Sequence, residues 1–284
     1  MLKWFDRSGI GSISDLHDSV FIKTFAELEK WQMDFLLASP KFLSKDYIWP
    51  RDPLHTWSRV WEYPFIYSNI ISLIKSNQSN KKLNIVDVGS GVTFFPFALA
   101  SNGIELCCTD FDPIIERDLQ LAIKTFNHQS GKISFKKTDG VTLPFEDNTT
   151  DIIYCISVLE HIQMFENTVF EMQRILKPGG KLFLTIDLDL RGDHDISIQR
   201  YHELKKALGK YFEFYKIEKT IHPKDILTST NSPYGYKEYK GLYYLKFLVH
   251  NYLARPLKKL KTEPMIPYML AVEGSSFVKR RKIE

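Results

Sequence analysis

The sequence has few cysteines and no long hydrophobic segment, and both features exclude classes of protein. Only three cysteines occur among 284 residues, Cys107, Cys108 and Cys155. They form no C-x-x-C pair and lie in predicted strands, so we expect buried, reduced thiols rather than a disulfide framework. No apolar run approaches the roughly 20 residues of a membrane-spanning helix. The N-terminal segment also shows no secretory signal, and together these features favour a cytoplasmic protein.

The excess of positive charge is small and unevenly distributed. A formal net charge of +4 is too low to indicate nucleic-acid binding by itself. From Arg255 to the C-terminus, however, there are eight lysines and arginines and only three glutamates. This pattern fits a solvated tail, and it also fits an anionic partner such as a phosphate-bearing substrate or a membrane surface.

The most informative segment is residues 86–97, Val-Asp-Val-Gly-Ser-Gly-Val-Thr-Phe-Phe-Pro-Phe. A short apolar strand leads into a glycine-containing turn, and Pro96 suits the first turn of the helix that follows. This order exposes backbone N–H groups at a helix N-terminus, where a nucleotide-like ligand can bind. A dinucleotide-binding fingerprint requires a small residue at position 94. Phe94 therefore argues against NAD or FAD.

Four further features follow this turn in order. Asp110 ends the next predicted strand, at a distance from the glycines where a carboxylate can accept hydrogen bonds from two ribose hydroxyls. Asp139-Gly140 ends a third strand, and residues 151–161 form a fourth strand with the loop behind it. Finally, Pro178-Gly179 predicts a type II turn, which needs a positive φ at its second central position.

Together these motifs resemble the class I S-adenosylmethionine-dependent methyltransferases, of the small-molecule type with a methyltransferase type 11-like domain. One position departs from the pattern, because Thr93 stands where many members have a third glycine. The resemblance implies S-adenosylmethionine as the cofactor. The cofactor contacts that it implies are Asp87, Gly89, Ser90, Gly91, Asp110, Phe111, Asp139, Gly140 and Ser157.

The expected fold is α/β, with a doubly wound, mostly parallel seven-stranded sheet. Residues 1–80 form a helical and aromatic N-terminal extension, in which Asp18 is the predicted N-cap of a helix. Residues 81–221 form the cofactor-binding core, and residues 268–284 hold the last strand and a basic tail. Residues 222–267 lie between two predicted edge strands, which members of the family join by a short turn. We therefore expect this segment to be a lid or substrate-recognition insertion.

The extension also supplies a candidate contact to the charged methionine end of the cofactor. Arg59 is our candidate, with Glu62 beside it, because their charges complement the methionine carboxylate and amine. The seven aromatic residues between positions 47 and 67 fit either core packing or a wall near that end.

Methyl transfer requires the acceptor atom to be close to the methyl group, in line with the breaking bond and unprotonated. The candidate bases are His161, Asp187 and His194. His161 follows the fourth strand, and an imidazole titrates near neutral pH. Asp187 ends the fifth strand, whose carboxyl end faces the ligand crevice. The acidic cluster between Asp187 and Asp195 matches no metal-ligand spacing, so no metal is expected, and an amine acceptor would need no strong base.

We therefore expect methyl transfer to an oxygen or nitrogen of a small-molecule or carrier-linked biosynthetic intermediate, glycans included. A catalytically silent methyltransferase-like binding subunit is the alternative from another class, and retention of the acidic residues disfavours it. A nucleic-acid or protein methyltransferase is a further alternative, although no nucleic-acid partner is expected. A homodimer contact and a peripheral membrane contact through residues 241–261 both remain open, because this segment has an apolar face at helical spacing followed by basic residues.

Overall fold

The computed structural model describes residues 3–76, 82–126, 130–190, 196–236, 242–254, 257 and 269–280. Its centre is one mixed sheet. The strands are β1 (Gly9–Ile10), β2 (Asn84–Val88), β3 (Glu105–Asp110), β4 (Lys132–Lys137), β5 (Thr150–Ile156), β6 (Leu176–Asp189), β7 (Phe212–Phe214) and β8 (Leu270–Lys279). Their order is β1-β8-β6-β5-β2-β3-β4, and β7 also pairs with β8.

Strands β2 to β6 run parallel to one another, and β8 runs antiparallel to its neighbours. The helices are α1 (Ser19–Ala38), α2 (Arg59–Ser76), α3 (Phe95–Ala100), α4 (Pro113–Thr125), α5 (Phe165–Ile175), α6 (Ile198–Tyr211) and α7 (Leu242–Val249). Two apolar clusters, one with side chains of α1 to α4 and the other with those of α5 and α6, pack against the sheet. The doubly wound, mostly parallel α/β fold is thereby confirmed.

The sheet has one strand more than the seven predicted. Gly9 and Ile10 of β1 pair with Gly274 and Glu273 of β8. Two features of glycine permit this pairing. Gly9 has a φ of +117°, and a Cβ at Gly274 would lie 2.6 Å from the ring of Phe65. A two-residue strand leaves no periodic pattern in the sequence, which explains why it was missed.

The N-terminal extension joins the main core. Asp18 caps α1, as predicted, with its Oδ1 atom accepting from the Val20 N–H at 2.7 Å. Most of the aromatic residues between positions 47 and 67 are buried, and Tyr63 stacks on Phe95 with ring centroids 4.7 Å apart. These aromatic residues therefore serve core packing, and only Trp49 among them is exposed.

The first part of the predicted insertion packs on the edge of the sheet. Leu227 is fully buried and donates its N–H to the Gly11 carbonyl at 2.9 Å. Ser229 donates its N–H to the Leu270 carbonyl at 2.8 Å. Residues 237–241, 255–256 and 258–267 of the insertion lie outside the described residues. Within the described ranges, no helix is both long and apolar enough to cross a membrane.

Candidate functional site

The glycine turn after β2 has a left-handed backbone at both of its glycines. Gly89 and Gly91 have φ values of +75° and +56°. A Cβ at Gly89 would lie 2.6 Å from the Val158 side chain, so both conformation and space require glycine there. At Gly91 a Cβ would meet nothing nearer than the Tyr47 hydroxyl, at 3.6 Å. The N–H groups of Gly89 and Ser90 donate to the Thr109 carbonyl, which fixes the turn against β3.

Asp110 connects the end of β3 to this turn. Its Oδ2 atom accepts from the Gly91 N–H at 3.1 Å, and its Oδ1 atom accepts from the Asp112 N–H at 3.1 Å. Burial raises the pKa of Asp110, although the backbone donors oppose that shift. A carboxylate has about four lone-pair sites, so Asp110 keeps capacity for a further donor. This geometry suits the predicted contact to ribose hydroxyls.

Asp87 lies deeper, within the sheet. It is buried, and its Oδ2 atom accepts from the Tyr154 hydroxyl on β5 at 2.9 Å. Burial raises the pKa of Asp87 well above its ordinary value, and the nearby Asp110 charge adds to this effect. In this structure Asp87 therefore links two strands, while its predicted cofactor contact stays a prediction.

The turn after β4 and the residue after β3 form a surface next to Asp110. The Oδ1 atom of Asp139 accepts from the N–H groups of Val141 and Thr142 at 2.8 and 2.6 Å, and these bonds lower its pKa. Gly140 has a φ of +85°, and a Cβ there would come within 3.8 Å of Phe111. The Phe111 side chain is 64% exposed. An exposed aromatic ring beside this turn is a suitable place for the flat face of a purine.

Two predicted residues from distant parts of the chain meet at the end of β5. Arg59 at the start of α2 donates from Nη1 to the Ser157 Oγ at 2.7 Å, and it also contacts Glu62. The Ser157 hydroxyl donates to Glu62 Oε1 at 2.6 Å. The Glu62 side chain is fully buried, whereas 23% of the Arg59 side chain is exposed. Burial alone would lower the pKa of Arg59, but the charges of Glu62 and Asp187 raise it above its ordinary value.

Ser157 itself has a strained backbone. Its φ is +45°, in the left-handed region that residues with a Cβ seldom adopt. Its N–H donates to the Thr185 carbonyl of β6 at 3.0 Å. Strain of this kind persists where surrounding contacts determine the conformation, and it concentrates at functional sites.

Glu160 adds a second buried carboxyl group to this region. Its side chain is almost fully buried, and its Oε1 atom accepts from the Asp187 N–H at 3.0 Å. The Oε2 atom is buried without a hydrogen-bond partner among the described residues. Burial raises the pKa of Glu160, and the nearby Glu62 charge adds to the shift while Arg59 opposes it. The sequence motifs assign no role to Glu160. The signal that could have identified it is an ionisable residue shortly after a buried strand.

The three candidate bases have different positions. His161 is exposed at the end of the 3₁₀ turn Leu159–His161. Asp187 is half-buried on β6, close enough to Arg59 for the two charges to interact. His194 lies outside the described residues. Within the described ranges no three His, Cys, Asp or Glu side chains are grouped to hold a metal ion.

Comparison with known proteins agrees with this geometry. Residues 86–184 match the family described as a methyltransferase domain. An uncharacterized methyltransferase of Mycobacterium leprae (strain Br4923) is 32% identical over 129 residues, which cover 45% of this chain and 46% of the relative. One from Mycolicibacterium vanbaalenii is 28% identical over 138 residues, 48% of this chain and 52% of the relative. The chain thus spans about half the length of the curated relatives it matches.

A solved structure shows the same fold over nearly the whole chain. The [4+2]-cyclase SpnF superposes with a TM-score of 0.52 and 15% identity, and the match covers 96% of this chain and 99% of that chain. At this identity the likeness concerns the fold alone. Residues 86–184 are thus similar to a methyltransferase domain, and this similarity supports S-adenosylmethionine as the cofactor predicted from the sequence.

Proposed function

We propose that the protein transfers the methyl group of S-adenosylmethionine to an oxygen or nitrogen of a small-molecule or carrier-linked biosynthetic intermediate, glycans included. The observation that carries this proposal is the contact between Asp110 and the Gly91 N–H at the carboxyl ends of β2 and β3. It combines a glycine turn and a ribose-type acceptor at the sheet edge where ligands of doubly wound proteins bind.

The residues around this turn fit a nucleoside. A Cβ atom added to Gly91 would have no close contact, because the nearest atom would be 3.6 Å away. Asp110 has acceptor capacity left, and Phe111 offers an exposed ring beside Gly140. These features match a sugar with two hydroxyls and an aromatic base, in that order along the strand ends.

The site at the end of β5 fits the charged end of the same cofactor. Arg59 has a partly exposed side chain, and its guanidinium is oriented by the buried Glu62 and by the Ser157 hydroxyl. When bound, S-adenosylmethionine supplies an electrophilic methyl group. The chain's own part is to hold donor and acceptor in line, because the breaking bond needs little charge stabilisation.

Binding of S-adenosylhomocysteine to the full chain tests the cofactor assignment. Calorimetry should show binding by the wild type and weaker binding by Asp110→Ala, by about 1–3 kcal/mol if the two hydroxyl bonds are charge-assisted. Glu105→Gln is the matched control, because Glu105 lies at the opposite end of the same strand and is far from the turn. No binding by folded wild-type protein would overturn the proposed function.

The acceptor class is tested by labelling. The wild type is incubated with S-adenosylmethionine carrying a labelled methyl group and with a metabolite extract, and the products are identified by mass spectrometry. A labelled small molecule or carrier-linked product is expected. A labelled protein or RNA would contradict the proposed acceptor class.

A further inference from the structure

One loop of the N-terminal extension, residues 44–51, reaches the glycine turn of the candidate site. In this loop Tyr47 is buried, whereas its neighbours Ile48 and Trp49 are exposed. The Tyr47 hydroxyl donates to the Val92 carbonyl at 3.3 Å and accepts from the Val92 N–H at the same distance. A buried tyrosine within an exposed loop therefore bonds to both backbone groups of one residue of the turn.

This loop is held in place by contacts that do not involve the turn. The Ser44 N–H donates to Asp118 Oδ2 at 2.8 Å, and Asp118 is buried on α4. At the other end of the loop, Arg51 donates from Nη2 to the Ser44 carbonyl at 3.0 Å. The two ends are thus joined to each other and to α4, so the position of Tyr47 does not depend on its bonds to Val92.

The bonds of Tyr47 adjoin the bond between Asp110 and the turn. The Gly91 N–H donates to Asp110 at 3.1 Å, and Val92 is the next residue. Asp110 and Tyr47 therefore accept from consecutive N–H groups, one from the sheet and one from the extension. Burial raises the pKa of Tyr47 to about 12, although the bond to Val92 opposes the shift. The hydroxyl thus keeps its proton near neutral pH and can donate.

The turn itself needs such support. Gly89 and Gly91 have positive φ values, and glycine reaches many other conformations at little cost. The helix that follows contributes no side-chain cap, because the N-cap residue of α3 is Phe94. Fixing the turn before a ligand binds therefore depends on its partners in β3 and in the extension.

We propose that Tyr47 is a positioning residue for the cofactor site, whose hydroxyl holds the glycine turn in the conformation that binds the nucleoside of S-adenosylmethionine. This inference rests on the proposed function. When only a fraction of the protein has the competent conformation, the apparent affinity falls by that fraction. Tyr47 lies outside residues 86–184, so the match to a methyltransferase domain does not include this contact.

Calorimetry with S-adenosylhomocysteine on the full chain tests the effect on the cofactor site. Tyr47→Phe keeps the buried ring and removes only the hydroxyl, so it separates positioning from core packing. The affinity should fall by about five- to tenfold, the factor that one neutral hydrogen bond contributes to an equilibrium. The matched control is Tyr67→Phe, which removes another buried hydroxyl of the extension, bonded to Asn102 at 3.2 Å. This control should bind with wild-type affinity.

Hydrogen exchange of the ligand-free protein provides a second readout that needs no cofactor. The segment 86–97 of Tyr47→Phe should exchange faster than that of the wild type, because the Val92 N–H loses its acceptor. In Tyr67→Phe this segment should exchange as in the wild type. Thermal unfolding of both variants establishes that they are folded at the temperature of the measurements.

The outcomes distinguish this inference from the proposed function. If the wild type binds S-adenosylhomocysteine and Tyr47→Phe binds it equally well, the inference is wrong and the proposed function stands. Unchanged exchange of segment 86–97 in Tyr47→Phe would also overturn the inference. An equal loss of affinity in Tyr67→Phe would reduce the role of Tyr47 to general stability. No binding by the folded wild type would overturn the proposed function and this inference with it.

Discussion

At the scale of single residues, Ser157 combines a strained backbone with a central position in a hydrogen-bond network. Its hydroxyl bonds both to Arg59 and to the buried Glu62, and its φ is +45°. The family resemblance of residues 151–161 implied Ser157 as a site residue. It gave no sign of the strain or of Glu62 as the partner, because both depend on where α2 packs.

Two substitutions separate these contributions. Ser157→Ala should destabilise the protein by about 2–3 kcal/mol, because two bonds to charged groups are lost and the strain stays. Ser157→Gly loses the same bonds but relieves the strain, so its loss should be about 0.5–1 kcal/mol smaller. Urea unfolding measures both.

The matched comparison is Asn148→Ala against Asn148→Gly, at another residue with a positive φ, +58°. The two Asn148 variants measure the backbone effect outside the network. A Ser157→Gly variant no more stable than Ser157→Ala would contradict the strain account.

Glu160 leads to a pH-dependent prediction. Its pKa is raised in the folded protein, chiefly by burial. Above the ordinary glutamate pKa, Glu160 is deprotonated in the unfolded state but still protonated in the folded state. The free energy of unfolding therefore falls as the pH rises toward the pKa of the folded state. Glu160→Gln removes this loss. The variant should gain stability relative to the wild type between about pH 5 and pH 8, at up to about 1.4 kcal/mol per pH unit.

Urea unfolding at several pH values measures this difference, and Glu166→Gln on the exposed side of α5 provides the baseline. If the free energies of unfolding of the wild type and the variant differed by a constant amount across that pH range, Glu160 would be charged in both the folded and the unfolded state.

At the scale of elements, the parallel strands and their helices could be predicted, and the contacts between distant segments could not. Strands β2 and β3 are marked by apolar residues that lead into Gly89 and Asp110, so the sequence predicts these residues at the strand ends. Gly179 has the positive φ that the Pro-Gly turn predicted. In contrast, α2 continues through Pro64, a residue that usually disrupts a helix. The packing of this helix against the sheet outweighs its local propensity, and that packing brings Arg59 to Ser157.

One such distant contact joins α1, the loop before α2 and the insertion. His55 Nδ1 lies 2.8 Å from Asp52 Oδ2, and its Nε2 lies 3.2 Å from Glu29 Oε1. The ring also packs edge-on against Tyr234, with centroids 4.9 Å apart, and against Phe25. Burial would lower the pKa of His55, but the two carboxylates raise it above its ordinary value.

This contact should make stability depend on pH in a definite direction. Because the folded pKa of His55 is raised, its contribution is complete below the unfolded pKa and is lost as pH rises through the folded pKa. His55→Gln should therefore cost most at mildly acidic pH, by about 1 kcal/mol or less since the pair is partly exposed. Urea unfolding of this variant, with His202→Gln as baseline, measures the effect. A cost that grows with rising pH would contradict it.

At the scale of the whole molecule, the site and the insertion are separate in the chain but share one edge of the sheet. The residues that we propose for nucleoside binding, Gly91, Asp110 and Gly140, all lie within residues 86–184. The insertion is held at Ser229 and Leu270, on the antiparallel side of the sheet. Cofactor binding and acceptor delivery are therefore expected to be separable.

Replacing residues 238–267 by a short Gly/Ser linker tests this separation. The change keeps Leu227, Ser229 and Tyr236, whose bonds fix the first part of the insertion to the sheet edge. Affinity for S-adenosylhomocysteine should stay at the wild-type value in calorimetry, because the strand ends proposed to bind the nucleoside are untouched. Methyl transfer to the native acceptor should be lost. Loss of cofactor affinity would instead place the 238–267 segment in the cofactor site, and full turnover without it would show that the acceptor needs no lid.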